Sequence, residues 1–319
     1  MEIEKTGREE KIDEVSLGEV FVILWQGKKI IIAVTLLFAF ASVFYALSVP
    51  NQYRATVVLA PAQSDGGGLS GALGQLGGLA SLAGVNIGGS DGGETQIAQQ
   101  IMKSWGFIDG FINQYDLAVE IFAAEGWREA SDEILIDTDL YDMSSATWLI
   151  EDDGVLRAPT SWELFKVFTD MLIVSEDKKT GLVSVSIEYY SPLLAKQWLD
   201  MYLQAINEHM QRRQVEKVSR NIEYLKDQIA KTSIAEMQGV FYTIIEEQIK
   251  NKMLAEASPN YAFAVVNPSM VPEEKSQPKR ALICVLGALL GGILSVLWVL
   301  VRYFLKSDWH ESIIRLPSA

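Results

Sequence analysis

Two uncharged apolar runs, residues 30–49 and 281–301, constrain this 319-residue chain more than anything else in it. At about 1.5 Å of rise per residue, each would span roughly 30 Å as a helix, the hydrocarbon thickness of a bilayer. Lys28 and Lys29 precede the first run, and Arg302 and Lys306 follow the second. The pattern predicts a membrane hairpin: a tail (1–29), a transmembrane helix (30–49), a long loop (50–280), a second transmembrane helix (281–301) and a tail (302–319). Two spans put both tails on one side, so the loop is the working part. A cleaved signal peptide is the competing reading of the first run. Twenty-nine residues precede that run, seven of them acidic, which speaks against a signal peptide.

Charge beside the spans does not settle which way the hairpin faces. Lys28, Lys29, Arg302, Lys306 and Arg315 stand on the tail side against Arg54, Lys275, Lys279 and Arg280 on the loop side. Long loops translocate largely regardless of charge, so the tails are expected inside and the loop outside. The formal charge is −14, and the tails are close to neutral, so the acidity belongs to the loop. Such a surface repels nucleic acid and anionic headgroups. The single cysteine, Cys284, lies within the second span, so no intramolecular disulfide can form.

Within the loop, 53–60 reads as a strand ending at Pro61. Residues 64–93 form a Gly-rich stretch with twelve glycines and no lysine or arginine. Its Leu69, Leu73, Leu76, Ala80 and Ala83 recur at helical spacing. Residues 94–117 read as one helix. Thr160 and Glu163 form a capping-box pattern ahead of a helix reaching about Met171. Strands at 172–175 and 182–190 flank Asp177-Lys178-Lys179-Thr180-Gly181 as a hairpin. Val183, Val185, Ile187 and Tyr189 alternate as a strand with one buried face requires.

Ser191-Pro192 opens the dominant element. From there to about Ala257 there is no proline and only one glycine, Gly239. An unbroken helix over 192–257 would be roughly 100 Å long. Val215, Val218, Ile222, Leu225 and Ile229 keep coiled-coil spacing, after which the phase is lost near 231–235. That stripe is expected to be an oligomer seam, and a helix folded back on itself near Gly239 is the alternative. A short strand at 260–266 then leads into a Pro-rich connector at 267–280, where Pro268, Pro272 and Pro278 make a stiff link to the second span.

Several features together resemble the polysaccharide co-polymerases, in particular the O-antigen chain-length determinants. The acidic tail carries Val15-Ser-Leu-Gly-Glu-Val-Phe-Val-Ile-Leu-Trp25 and Lys28-Lys29 ahead of the first span. Tyr53-Arg54-Ala55 opens a strand just beyond it. The long helical stretch follows, and then Pro268, Pro272 and Pro278 run into a glycine-bearing second span. No tyrosine follows Tyr303, so the chain looks like the kinase-free branch. The resemblance implies a two-pass inner-membrane protein with both termini cytoplasmic. It implies an α+β fold: two transmembrane helices flanking a periplasmic domain with a small mixed α/β base and one very long, partly coiled-coil helix. It further implies a ring-like homo-oligomer that sets the length of a lipid-linked polysaccharide made by a membrane polysaccharide polymerase. Pro268, Pro272 and Pro278 would couple to that polymerase, with the glycan itself and membrane lipid as further contacts. An adaptor or activator of a separate polysaccharide tyrosine kinase or export machine shares the same plan. A periplasmic sensor would need an output domain, for which the tails leave no room.

No residue pattern points to catalysis, a cofactor or a metal. Gly66-Gly67-Gly68-Leu69-Ser70-Gly71 fits a dinucleotide fingerprint formally, but the stretch lacks the βαβ continuation that gives it meaning. Asp137, Asp139 and Asp142, and Glu151-Asp152-Asp153, lack the glycine and terminal glutamate of an EF-hand and read as solvated acidic loops. His209 and His310 fall on opposite sides of the membrane. Gly287, Gly291 and Gly292 place small residues along the second span, which permits close transmembrane helix packing.

Overall fold

The computed structural model describes residues 17–62, 90–149 and 158–314, with side chains from 24, 93 and 158 onward in each and up to 302. The expectations about 66–71, about Glu151–Asp153 and about the Gly-rich stretch before residue 90 lie outside these. The chain divides into two units, one of residues 1–49 and 277–319, the other of residues 50–276.

The first unit is a pair of helices. α1 (Leu17–Ser48) and α8 (Arg280–Ile314) contain the two stretches long and apolar enough to cross a membrane, Leu24–Ser48 and Arg280–Arg302. Both helices continue past the apolar runs into the expected tails. They pack antiparallel, with Gly27 against Val299, Gly291 against Phe38 and Gly287 against Ser42. Much of their remaining surface is apolar and exposed: Leu37, Phe40, Phe44, Leu289 and Ile293 are all uncovered.

The second unit is built on an antiparallel sheet ordered β6-β7-β1-β8, from β1 (Gln52–Pro61), β6 (Leu172–Glu176), β7 (Val183–Tyr189) and β8 (Phe263–Asn267). A fifth strand, β9 (Lys275–Gln277), also pairs with β1. The β6–β7 turn forms where expected. The Asp177 carboxylate accepts the Lys179 N–H at 2.9 Å, and Gly181 takes φ +71°, which glycine adopts without a Cβ penalty. Val183, Val185, Ile187 and Tyr189 are all buried, as the alternation predicts, but Ser186 and Glu188 on the opposite face are buried too, so the strand is covered on both faces over 186–189 and not on one.

Four helices complete the base. α2 (Ser90–Met102) and α3 (Trp105–Tyr115) replace the single helix expected over 94–117. The break lies at Ser104, whose N–H bonds to Ile101 O while its Oγ accepts from Phe107 N, capping a new helix in a new direction. α4 (Ala118–Phe122) follows. α5 (Ser161–Met171) starts with the full Thr160–Glu163 capping box. Between them lie two small hairpins that the sequence reading did not anticipate, β2 (Ala124–Arg128) with β3 (Glu133–Ile136), and β4 (Tyr141–Asp142) with β5 (Thr147–Trp148). Phe107, Phe111, Phe168 and Tyr202 meet edge-on or tilted in the core, with centroids 4.9–5.6 Å apart.

The helix expected over 192–257 is two. α6 (Pro192–Lys231) begins at the Ser191 cap, ends at Thr232 and is followed by α7 (Ala235–Ala257), which returns along it. Thr232-Ser233-Ile234 are poor helix formers. Gln238 Nε2 donates to Thr232 O at 2.7 Å and Ile229 O at 3.4 Å, satisfying carbonyls that a helix end leaves open. Gly239 lies inside α7 rather than at the turn. The phase loss at 231–235 marks the reversal.

Candidate functional site

Folding back decides what the apolar stripe of α6 does. At one end Gln211 Nε2 reaches Ala255 O at 2.8 Å, and at the other Gln238 reaches Ile229 O, so the two helices run side by side over their full shared length. Val218 is 2% exposed, and Val215, Ile222, Leu225 and Ile229 are half-buried. The seam is therefore covered, in large part, by the chain's own α7, which contributes the buried Ile245. The sequence reading missed what this leaves outside. Met237, Val240 and Ile244 form one exposed apolar flank of α7, and Tyr242, Ile249 and Met253 form another on the opposite side of its buried face. The signal was present in the sequence, since α7 is apolar nearly all round, but only the position of α6 shows which part is free.

The connector is tied to the domain as well as stiff. Pro268 is exposed, while Pro272 and Pro278 are half-buried. Between the first two, Ser269 is buried and its Oγ hydrogen-bonds Asp200 Oδ1 on α6. The other oxygen, Oδ2, accepts from Lys196 Nζ at 2.6 Å. Ser276 Oγ donates to Gln52 O at 3.2 Å, where β9 runs beside β1. Met270 and Val271 stand exposed between these ties.

In the helix pair, a Cβ on Gly291 would lie 2.5 Å from Phe38 Cβ, and one on Gly287 would collide with Ser42. Gly292 faces elsewhere, its nearest neighbour being Thr35 Oγ1 at 3.9 Å from such a Cβ.

The acidic residues cap their own turns. Asp137 Oδ1 accepts the Asp139 N–H at 2.7 Å. Asp142 accepts from the Ser144 hydroxyl and N–H and from the Ser145 hydroxyl, which lower its pKa to about 2. Among the described residues, no group of three or more His, Cys, Asp or Glu could hold a metal. His209 lies on α6 against the Phe107 ring, and burial, with Arg212 and Arg213 nearby, holds its pKa below the ordinary value. The Tyr189 and Tyr202 hydroxyls are pushed up by burial and donate to the backbone carbonyls of Glu120 and Met102.

Comparison with known proteins identifies two regions. Residues 13–115 match the family "Chain length determinant protein", and residues 235–304 match "G-rich domain on putative tyrosine kinase". No curated protein matches the chain. Among solved structures, a full-length bacterial polysaccharide co-polymerase is 12% identical, with 92% of this chain and 99% of that one covered at a TM-score of 0.40. A fragment of WzzB, a polysaccharide co-polymerase from Salmonella Typhimurium, is 11% identical, with 71% and 100% covered at a TM-score of 0.30.

Proposed function

We propose that this chain, a polysaccharide co-polymerase by its chain length determinant region, is a non-enzymatic regulator of the length of a lipid-linked surface polysaccharide, O-antigen or a similar polymer. The observation that carries the reading is the match over 13–115, which runs through the first apolar helix and into β1 and α3. In this reading the chain crosses the inner membrane twice, with both termini cytoplasmic and the domain of residues 50–276 periplasmic. It works as a ring-like homo-oligomer beside a membrane glycan polymerase, and neighbouring copies bias when the growing glycan is released.

The physical division of labour follows from exposure. Val215, Val218, Ile222, Leu225 and Ile229 first hold the helical hairpin together, so contact between copies falls to the two apolar flanks of α7. Burying those flanks against a neighbour removes apolar surface from water at about 25 cal/mol per Å2. Pro268, Pro272 and Pro278 give the connector few internal degrees of freedom, so it passes displacement on to α8 rather than absorbing it. Gly287 and Gly291 let α1 and α8 approach closely, and Gly292 is left for a helix from outside the chain.

The test is a gel of lipid-linked polysaccharide from cells with and without the chain. Loss of a narrow length band, with polymer still made at scattered lengths, is the expected result. An unaltered ladder would remove this reading. The match over 235–304 favours a second one, an adaptor or activator of a separate polysaccharide tyrosine kinase. Under that reading the polymer would vanish on deletion, together with tyrosine phosphorylation of the kinase.

A further inference from the structure

α2 turns three glutamines, Gln96, Gln99 and Gln100, toward one cleft of about 760 Å3 that ends at Ser104. The next residue, Trp105, is half exposed, and its Nε1 donates to Ser161 Oγ at 2.8 Å. Ser161 is followed by Trp162, which is 55% exposed and tilted against Phe165 at 5.2 Å. Two indoles far apart in sequence, each in the opening turn of a different helix, are thus brought near each other, the first next in sequence to a cleft lined by the three glutamines and by Ile97 and Ile101. Neither ring fills the core, and α3 and α5 are each capped by other residues, Ser104 and Thr160.

We infer that Trp105 and Trp162, with the glutamines of α2, form a binding platform for uncharged sugar units of a polysaccharide. The inference rests on the proposed function for the identity of the polymer. A pyranose ring offers a C–H face and an equator of hydroxyls. Exposed indoles present flat apolar faces at low entropic cost, and a glutamine amide both donates and accepts, as a hydroxyl requires. Gln99 is already oriented, its Nε2 donating to Glu176 Oε2 at 2.9 Å. Charge selects the ligand further. The acidic loop repels anionic polymers, and Lys166 already sits 5.6 Å from the Trp162 centroid.

The test uses the full chain in nanodiscs and the polysaccharide of its own host cells, released from lipid by mild acid. Saturation transfer from protein to sugar protons reports binding, and titration gives an apparent affinity. The double variant Trp105→Ala/Trp162→Ala is expected to weaken that affinity about tenfold or more, with oligomer mass and helicity unchanged. Trp162→Ala alone, which removes a solvent-facing ring, should lose part of it and guards against misfolding of the double variant. Equal binding by Trp162→Ala and the parent chain would overturn the inference, as would no transfer from the parent chain. A drop in oligomer mass in Trp162→Ala would overturn it too, by making the patch a contact between copies. Binding is read on purified protein and length control in cells, so platform and proposed function can fail separately.

Discussion

Asn207 on α6 holds Phe263 of β8 at both of its backbone polar atoms. Its Oδ1 accepts the Phe263 N–H at 2.9 Å, and its Nδ2 donates to Phe263 O at 3.2 Å. The same Oδ1 accepts the Ala262 N–H at 2.9 Å. Asn207 is 3% exposed and Phe263 fully buried, so water cannot replace these bonds. The amide thereby fixes where the chain re-enters the sheet after the helical hairpin. Asn207→Leu fits the volume but leaves two buried N–H groups unmet, and should cost about 3 kcal/mol of stability, read from thermal unfolding in detergent. Asn207→Asp still accepts both N–H groups but buries a carboxylate against the Phe263 carbonyl oxygen, and should cost at least as much.

Arg54 and Glu188 face each other across the β1–β7 register, with Nε and Nη2 both 2.8 Å from Oε1. Glu188 is 7% exposed and Arg54 43%, so the pair is half-screened. A double-mutant cycle with Arg54→Met and Glu188→Gln should return a coupling of about 1 kcal/mol. A coupling near zero would make the pair incidental.

Val218 and Val240 should separate folding from assembly. Val218→Asp places a charge in the α6–α7 contact and should open the hairpin, seen as lost hydrogen-exchange protection over 215–250. Val240→Asp, on an exposed flank, should leave protection intact and lower the oligomer mass. If Val240→Asp, Ile244→Asp and Tyr242→Asp all leave the mass unaltered, the flanks of α7 do not join copies.

Gly291 and Gly292 are adjacent and should behave differently. Gly291→Ala drives a methyl into Phe38, and should destabilise the helix pair by about 1–3 kcal/mol. Gly292→Ala meets nothing closer than 3.9 Å within the chain and should be neutral for the pair. Thermal unfolding in the same detergent compares them.

His209 ties stability to pH. Its folded pKa lies below the usual 6.5, so on acidification the unfolded chain takes up the proton first. The contribution of His209 is therefore full above about pH 6.5 and is lost as pH falls toward the depressed value. His209→Gln should flatten the midpoint's dependence on pH between about 7.5 and 5. Parallel curves for parent and variant would refute this role.

Much of the architecture was legible because it is written in local chemistry. A capping box needs only Thr160 and Glu163, a hairpin turn only Asp177 to Gly181, and a strand only the alternation from Val183 to Tyr189. Boundaries that depend on direction were not legible. The helix expected over 94–117 breaks at Ser104 because the chain must turn α3 across the core, and nothing in the propensities of Lys103 and Ser104 enforces this. The small hairpin of Trp127 against Ile134 has strands of only four or five residues, and its ties, from Trp127 to Asp132 and to the Tyr53 ring, appear only in the fold.

What the sequence by itself determined is the pair of long apolar helices flanking a larger domain, the α+β class and the strand periods, since apolar length and side-chain alternation act within a few residues of themselves. Tertiary structure alone decided that α6 stops at Lys231 and that α7 returns along it, so that the stripe from Val215 to Ile229 is partly covered within the chain. It also decided that Trp105 reaches Ser161, the residue before Trp162, and that Asn207 reaches β8. The physical reason is the same in each case. An apolar stripe or a polar side chain states that it needs a partner, but the partner lies tens of residues away, and only the folded chain selects it.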